Sequence, residues 1–308
     1  MPTTQSTDRS LCLIVNGKCR DDPELIRVID LLKSEGRRIE VNCTQKAGDA
    51  FELAKDRCTG DWDAIIAIGG DGTANEVAQG MLNADEIKAA FALIPYGTAN
   101  DFATACGIPP NNPEVAIEML DKAPRKAIDV GKVNDQHFIN MVSCGYGAEI
   151  TAETQPELKQ LLGGFAYFVT GVTQAANIQP RTIRVTADDF EWSGEALAIT
   201  VGNGRQSGGG YKLAPHAIID DGLLDVTIVR DFPLTQYFEV LAELKEMTTN
   251  FESEHLIYHQ TDRLVVEAPD GLQFNLDGEP GEGNRLEFEL LPRRLPCYLP
   301  IRAPFREL

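Results

Sequence analysis

The chain has 308 residues, 43% of them hydrophobic, and a net charge of −19, which allows two cores of ordinary size and excludes both a disordered chain and the broad basic surface of a nucleic-acid binder. No run of about 18 apolar residues is present, so no transmembrane helix is expected, and the polar start Met1–Ser10 lacks the apolar stretch of a secretory signal. Cysteines at 12, 19, 43, 58, 106, 144 and 297 are odd in number, widely spaced and without a C-x-x-C pair, which fits a reduced, cytoplasmic setting better than a disulfide framework or zinc knuckle.

The first 125 residues alternate strand and helix. Leu11–Asn16 is an apolar run closed by Asn16-Gly17. Pro23–Ser34 has helical spacing, with Leu25, Ile26, Ile29 and Leu32 on one face and Gly36 as its stop. A strand is expected over Arg38–Thr44, a helix over Asp49–Cys58, and buried parallel-type strands over Ala64–Ile68 and Phe91–Pro95. This order predicts an α/β domain with a parallel sheet. From Lys126 the pattern changes to strand after strand: Ala127–Val133, His137–Ser143, Arg181–Thr186, Ala196–Gly202, Leu224–Val229, Arg263–Glu267, Leu272–Asn275 and Arg285–Leu290. Asp188-Asp189, Asp221-Gly222 and Asp270-Gly271 are read as turns between them. An antiparallel β-sandwich or barrel is expected here. The insertion Pro156–Gln174 is too short to span a bilayer; it either packs on the sandwich or touches lipid. The tail from Arg293, with Arg294, Arg302 and Arg306, is locally basic, either a solvated edge or a membrane contact. His255 and His259 could share a helix face, but without an H-E-x-x-H motif they are read as ordinary histidines.

Two segments echo each other. Gly72-Thr73-Ala74-Asn75-Glu76 and Gly97-Thr98-Ala99-Asn100-Asp101 each follow a buried-type strand and lead into a helix, so both belong at the carboxyl end of the sheet, where ligands bind. Glycines at Gly69, Gly70 and Gly72 let the backbone approach a phosphate, and a helix start favours an anion. Thr73 and Asn75 either cap that helix or bind phosphate oxygens. Asp71 places a negative charge in the same turn, a conflict that magnesium would relieve. The turn is neither a Walker A loop nor the G-x-G-x-x-G dinucleotide fingerprint. A third constellation is Asn275-Leu276-Asp277-Gly278-Glu279-Pro280. Strand alternation puts Asn275, Asp277 and Glu279 on one side, where two carboxylates could divide the base and metal tasks of phosphoryl transfer. Gly202–Gly210 is a glycine-dense loop holding Arg205, either a substrate rim or a mobile hairpin.

Gly69-Gly70-Asp71-Gly72-Thr73-x-Asn75-Glu76-Val77 resembles the signature of the diacylglycerol kinase superfamily. Pro95-x-Gly97-Thr98-Ala99-Asn100-Asp101-Phe102-Ala103 resembles its second nucleotide segment, and Leu276-Asp277-Gly278-Glu279-Pro280 its catalytic turn. The likeness extends through Phe138–Met141 with Gly145-x-Gly147, Gly202–Gln206 and Asp221–Leu224, and is greatest to the bacterial YegS-type lipid kinases. It implies an α/β nucleotide domain similar to NAD kinases and phosphofructokinases, over 1–125 with 296–308 returning to it, then a β-sandwich over 126–295 that carries the base and the lipid site. It implies ATP as co-substrate, bound by Thr44, Gly70, Asp71, Gly72, Thr73, Ala74, Asn75, Glu76 and Thr98, with Glu279 as proton acceptor and Asp71 and Asp277 assisting through magnesium. It further implies a structural magnesium or calcium site at Asp221, with main-chain oxygens of Ile218 and Leu223. The expected reaction is ATP-dependent phosphorylation of a glycerolipid hydroxyl, on phosphatidylglycerol or diacylglycerol, by a cytoplasmic enzyme making transient contact with the inner face of the membrane. A soluble acceptor such as NAD, or a non-catalytic nucleotide- or lipid-binding role, are the competing readings.

Overall fold

The computed structural model describes residues 9–145, 180–232 and 251–300, together with Gln236, Glu239, Val240, Ala242, Glu243 and Met247. The insertion at 156–174, Gly147, Arg302 and Arg306 lie outside the described residues. The chain divides into two compact units, Met1–Ile128 with Arg293–Glu307, and Asp129–Pro292.

In the first unit β1 (Leu11–Val15), β2 (Ile39–Cys43), β3 (Ala64–Gly69) and β4 (Ala90–Pro95) form a parallel sheet in the order β2-β1-β3-β4. Every residue of β1, β3 and β4 is buried, as continuous apolar runs require in a covered parallel sheet. Five helices accompany them: α1 (Pro23–Ser34), α2 (Asp49–Arg57), α3 (Asp71–Leu82), α4 (Asp101–Ala105) and α5 (Pro113–Lys122). Asp22 and Asn112 cap α1 and α5, accepting the N–H of Leu25 and Val115, and each is followed by proline at the first helical position, where no intrahelical N–H is needed. Helix α1 buries Leu25, Val28, Ile29 and Leu32, a stripe at helical spacing. Ile26, expected on that face, is instead 44% exposed. Helices α2 and α3 meet at Gly80, where a Cβ would fall 2.2 Å from the Phe51 carbonyl oxygen. Arg37, nearly buried, forms a two-pronged ion pair with Asp121 at 2.9 and 3.0 Å.

The second unit is a β-sandwich-like array of antiparallel strands. Its elements are β5 (Arg125–Val133, shared with the first unit), β6 (Gln136–Phe138), β7 (Met141–Gly145), β8 (Arg181–Thr186), β9 (Glu191–Gly202), β10 (Gln206–Ser207), β11 (Tyr211–Lys212), β12 (Leu224–Arg230), β13 (Leu256–Thr261), β14 (Arg263–Leu276) and β15 (Glu279–Tyr298). The path runs β13-β12-β9-β7-β14-β15, with β8 also pairing β9 and β14, and β5 pairing β6 and β15. Phe138, Ile199, Val226, Val266, Phe274 and Phe288 belong to its core. Phe138 and Phe288 meet edge to face with centroids 6.4 Å apart. Two glycines pin the register. Gly131 pairs with Phe138 and Gly281 with Phe274, and a Cβ on either glycine would lie 2.1 or 2.3 Å from the opposing ring, so each ring covers the glycine across from it. From Arg293 onward β15 belongs to the first unit, where Cys297 pairs in parallel with Phe91 of β4.

Two expected strand boundaries are corrected. His137–Ser143 is not one strand: β6 and β7 are separated at Ile139-Asn140, whose N–H groups are taken by the Asp277 carboxylate. The strands expected at Arg263–Glu267 and Leu272–Asn275 are the single strand β14, whose register shifts between Glu267 and Leu272, so Asp270-Gly271 marks an irregularity within a strand and not a turn between two. His255 and His259, read as ordinary histidines, share no helix face: His259 lies on β13 and bonds Asp189, while His255 precedes that strand and bonds Glu243.

Candidate active site

In the first unit the loops after β1, β2, β3 and β4 gather at one end of the sheet. The N–H of Asn16 bonds the Ile68 carbonyl at 2.8 Å, that of Thr44 the Val15 carbonyl at 2.9 Å, and that of Tyr96 the Gly69 carbonyl at 2.7 Å. The Thr44 hydroxyl accepts the Gly17 N–H at 3.1 Å. The Asn16 amide donates to the Thr73 hydroxyl at 3.0 Å, and its carbonyl accepts the Lys18 N–H at 3.0 Å. Asn16 thus ties Thr73 to the loop after β1, a role the sequence reading missed; an Asn-Gly turn closing a buried strand was its only signal.

The residues expected around a nucleotide do different things here. Helix α3 is capped by Gly70, with no side-chain cap, so Thr73 and Asn75 do not cap it, and its first N–H groups keep the character of an anion site. Thr73 is buried against Gly69. Asn75 is 2% exposed and its side-chain oxygen has no partner. Ala74 is buried beside it, and Glu76 accepts the Gly48 N–H at 3.1 Å. Gly72 is half-buried with open space where a Cβ would go, and Thr98 is exposed.

The two echoed segments are not structural copies. Gly72–Asn75 forms the first turn of α3, whereas Gly97–Asn100 is a loop ahead of α4. The reason is Asn100, at φ 51°, which closes its own loop: its side chain accepts the Gly97 N–H at 2.7 Å and donates to the Gly97 carbonyl at 2.6 Å. The loops touch, since a Cβ on Gly97 would fall 2.4 Å from Gly70 Cα. Asp71 reaches across the contact, accepting the Phe102 N–H at 3.2 Å. Loss of water around the Asp71 carboxyl, then the charge of Asp101, raise its pKa above the usual carboxylate range, opposed by the N–H groups of Phe102, Asp101 and Asn100.

In the second unit Asp277 and Gly278 form a two-residue hairpin between β14 and β15, at φ 47° and 104°, the left-handed pair that an Asp-Gly hairpin turn requires. The Asp277 carboxylate is buried and accepts three N–H groups, from Ile139 at 2.8 Å, Asn140 at 3.2 Å and Met141 at 2.7 Å. Glu279 pairs with Leu276, and Asn275 with Pro280. Cross-strand partners share a face, so Glu279 lies on the side of Leu276 and not with Asn275. The expectation of one acidic face is therefore corrected: the hairpin consumes two residues and breaks the alternation. Glu279 is exposed and Asp277 is not.

The Gly202–Gly210 segment resolves into a hairpin, with Gln206 opposite Lys212, Ser207 opposite Tyr211, and Gly208, Gly209 and Gly210 all at positive φ. Its base is buried. Asn203 donates to the carbonyls of Asp129 and Ile139 at 3.1 and 3.0 Å, and Arg205 to the Ala217 carbonyl at 2.8 Å. Burial lowers the Arg205 pKa, and Asp225 and Tyr258 oppose that. In the Ile218–Leu223 loop, the Gly222 N–H bonds the Asp129 carboxylate at 2.8 Å and the Leu223 N–H bonds Asp221 at 3.0 Å. The Asp221 pKa is raised by loss of water and then by Asp129 and Asp220, against the Leu223 N–H. No cluster of three acidic, histidine or cysteine side chains able to hold a metal occurs among the described residues.

Residues 10–133 match the family described as the diacylglycerol kinase catalytic domain, and residues 140–298 the YegS C-terminal NAD kinase beta sandwich-like domain. A protein of Pseudomonas aeruginosa strain PAO1 named "Probable lipid kinase YegS-like" is 40% identical over 293 residues, covering 95% of each chain. One of the same name from Enterobacter sp. strain 638 is 39% identical over 295 residues, covering 95% of this chain and 96% of its own. A solved structure of a candidate diacylglycerol kinase from Bacillus anthracis str. Sterne superposes with a TM-score of 0.83 at 26% identity, covering 98% of this chain and 99% of that one.

Proposed function

This chain belongs to the diacylglycerol kinase family, among its YegS-like lipid kinases, and from that premise we propose that it transfers the γ-phosphoryl group of ATP to a hydroxyl of a glycerolipid, with Glu279 as the proton acceptor. The substrate class proposed is phosphatidylglycerol or diacylglycerol. The observation that carries the role of Glu279 is the contrast within one hairpin. Asp277 is buried and bound by three backbone N–H groups, which fixes the turn, while Glu279 next to it projects as an exposed carboxylate. A base on a fixed turn costs little reorganisation when it meets a hydroxyl. In the proposed step the lipid oxygen attacks the γ-phosphorus, the hydroxyl proton passes to a Glu279 oxygen, and the bond to the bridging oxygen of ADP breaks. The nucleotide is proposed to lie on the turn amides from Gly70 to Glu76, with Thr44 and Thr98 at its edges. This reading is supported by the uncapped start of α3 and the open space at Gly72.

The donors for the implied metals differ between two places. Asp221, beside Asp129 and Asp220, offers hard oxygen in a crowded acidic loop, which suits magnesium or calcium. Asp221 would hold such an ion, with main-chain oxygens of Ile218 and Leu223, and the ion would neutralise the acidic loop. Backbone N–H groups engage the carboxylates of Asp71 and Asp277, so we assign both acids to holding their turns and not to direct ligation. Lipid access is proposed to come through transient contact with the inner face of the membrane; among the described residues no helix is long and apolar enough to cross one.

Glu279→Ala is expected to lower transfer from labelled ATP to a total bacterial lipid extract by about 10²–10⁴-fold while ATP binding, read by calorimetry, stays within about two-fold. Loss of both together would remove Glu279 from the role of base. Label appearing on NAD and on no lipid of the extract would replace the proposed substrate class.

A further inference from the structure

We propose that Asp71 is a positioning residue, clasping the turn after β3 to the loop after β4 so that the two form one nucleotide cradle, and that it does not ligate magnesium. The inference rests on the ATP-dependent reading above. Asp71 follows Gly70, and Gly70 lies against Gly97, where a Cβ on either glycine would fall 3.0 or 2.4 Å from the other's Cα. At such a contact two backbones meet with no side chain between them. The two loops are joined on one side of it by the Tyr96 N–H to the Gly69 carbonyl at 2.7 Å. On the other side the Asp71 carboxylate takes the Phe102 N–H at 3.2 Å, and the N–H groups of Asp101 and Asn100 also favour its charged form. Asn100 makes this possible, because its left-handed backbone and its two bonds to Gly97 present the following N–H groups to Asp71.

The echo in the sequence points the same way. Aligning Gly72-Thr73-Ala74-Asn75 with Gly97-Thr98-Ala99-Asn100 sets Asp71 against Tyr96, so an acid ahead of the glycine occurs in only one of the two segments, and it spans the gap to the other. The clasp also removes the conflict of an acid in a phosphate loop. The charge of Asp71 is directed at the backbone that opens α4, and the N–H groups that start α3 are left for the phosphates.

The test is amide hydrogen exchange over residues 97–102 in protein free of nucleotide and treated with EDTA, together with ATP titrations in EDTA and in excess magnesium, for the parent, Asp71→Asn and Gly97→Ala. Asp71→Asn is expected to speed exchange at Asn100–Phe102 about ten-fold, and both variants to weaken ATP binding by about ten-fold. The loss should be equal with and without magnesium, and the KM for ATP should rise while kcat changes less. Unchanged exchange in Asp71→Asn would overturn the clasp, as would a loss of affinity confined to magnesium. Gly97→Ala opens the same contact without touching a charge, so it keeps the question decidable if Asp71→Asn fails to fold; parent-like ATP binding in that variant would count against the cradle. A parent protein that binds no ATP under either condition would instead sink the kinase reading, while the exchange data would still judge the clasp.

Discussion

Asp225 has no solvent exposure and sits between the Tyr258 hydroxyl and the Gln260 amide, both of which donate to one of its oxygens, while its other oxygen has no partner. Burial pushes its carboxyl up to about 7, well above the usual carboxylate range, against the pull of the Tyr258 hydroxyl. A carboxyl that binds its proton more tightly folded than unfolded adds stability that is complete below about pH 4 and is lost as pH rises through about 7. The amplitude is up to about 4 kcal/mol. Asp225→Asn keeps an acceptor for both donors and cannot ionise. Melting curves in EDTA should therefore show the variant gaining on the parent above about pH 8 and losing the decline between about pH 4 and 7; parallel pH profiles for the two proteins would refute this. A second residue-scale consequence concerns the thiols. Cys43 is exposed, whereas Cys12 and Cys144 are buried and their thiols are pushed up to about 12, chiefly by burial. Reagents attack the thiolate, so an alkylating agent at about pH 8 should label about one site per folded chain, and Cys43→Ser should abolish the fast phase seen by mass spectrometry.

At the scale of elements, the α2–α3 contact depends on Gly80 because the Phe51 carbonyl occupies the place of a Cβ. Alanine there would gain about 1 kcal/mol of helix propensity but would force the helices apart. Overpacking costs about 1–3 kcal/mol, so Gly80→Ala is expected to lower the denaturant midpoint; an unchanged or higher midpoint would show that α2 yields easily. Local signals made some elements legible in advance. Helix α1 begins and ends where Pro23 and Gly36 say it should, and β1, β3 and β4 announce themselves as short apolar runs. What escaped depends on partners far along the chain. The break between β6 and β7 is set by Asp277, 138 residues from Ile139. The bond from Phe102 to Asp71 spans 31 residues, so the glycine turn was legible and the destination of its acid was not. Asp270-Gly271 was read as a turn between two strands and is not one: whether such a bend ends a strand is decided by whether both flanks pair with the same neighbour, as β14 does with β15.

For the whole molecule, a net charge of −19 is unusual company for a lipid substrate. At low salt the chain and an anionic bilayer repel each other over a Debye length of about 30 Å, which shrinks to about 8 Å at physiological ionic strength. Binding to phosphatidylglycerol vesicles should therefore strengthen as salt rises from about 10 to 150 mM, the reverse of a protein held by a basic patch. A flotation assay in which salt releases the protein would point to local basic residues as the anchor. The longest strand has another consequence. The 164 residues Asp129–Pro292 separate the two pieces of the first unit, and Cys297, on the second piece, is the residue of β15 that pairs with β4. On a ribosome adding about 5–20 residues per second, that partner arrives roughly 10–30 seconds after the rest of the first unit has been made. During this interval the outer edge of β4 is an open template for any passing strand. Synthesis rate and chaperone supply then become part of how this fold is reached.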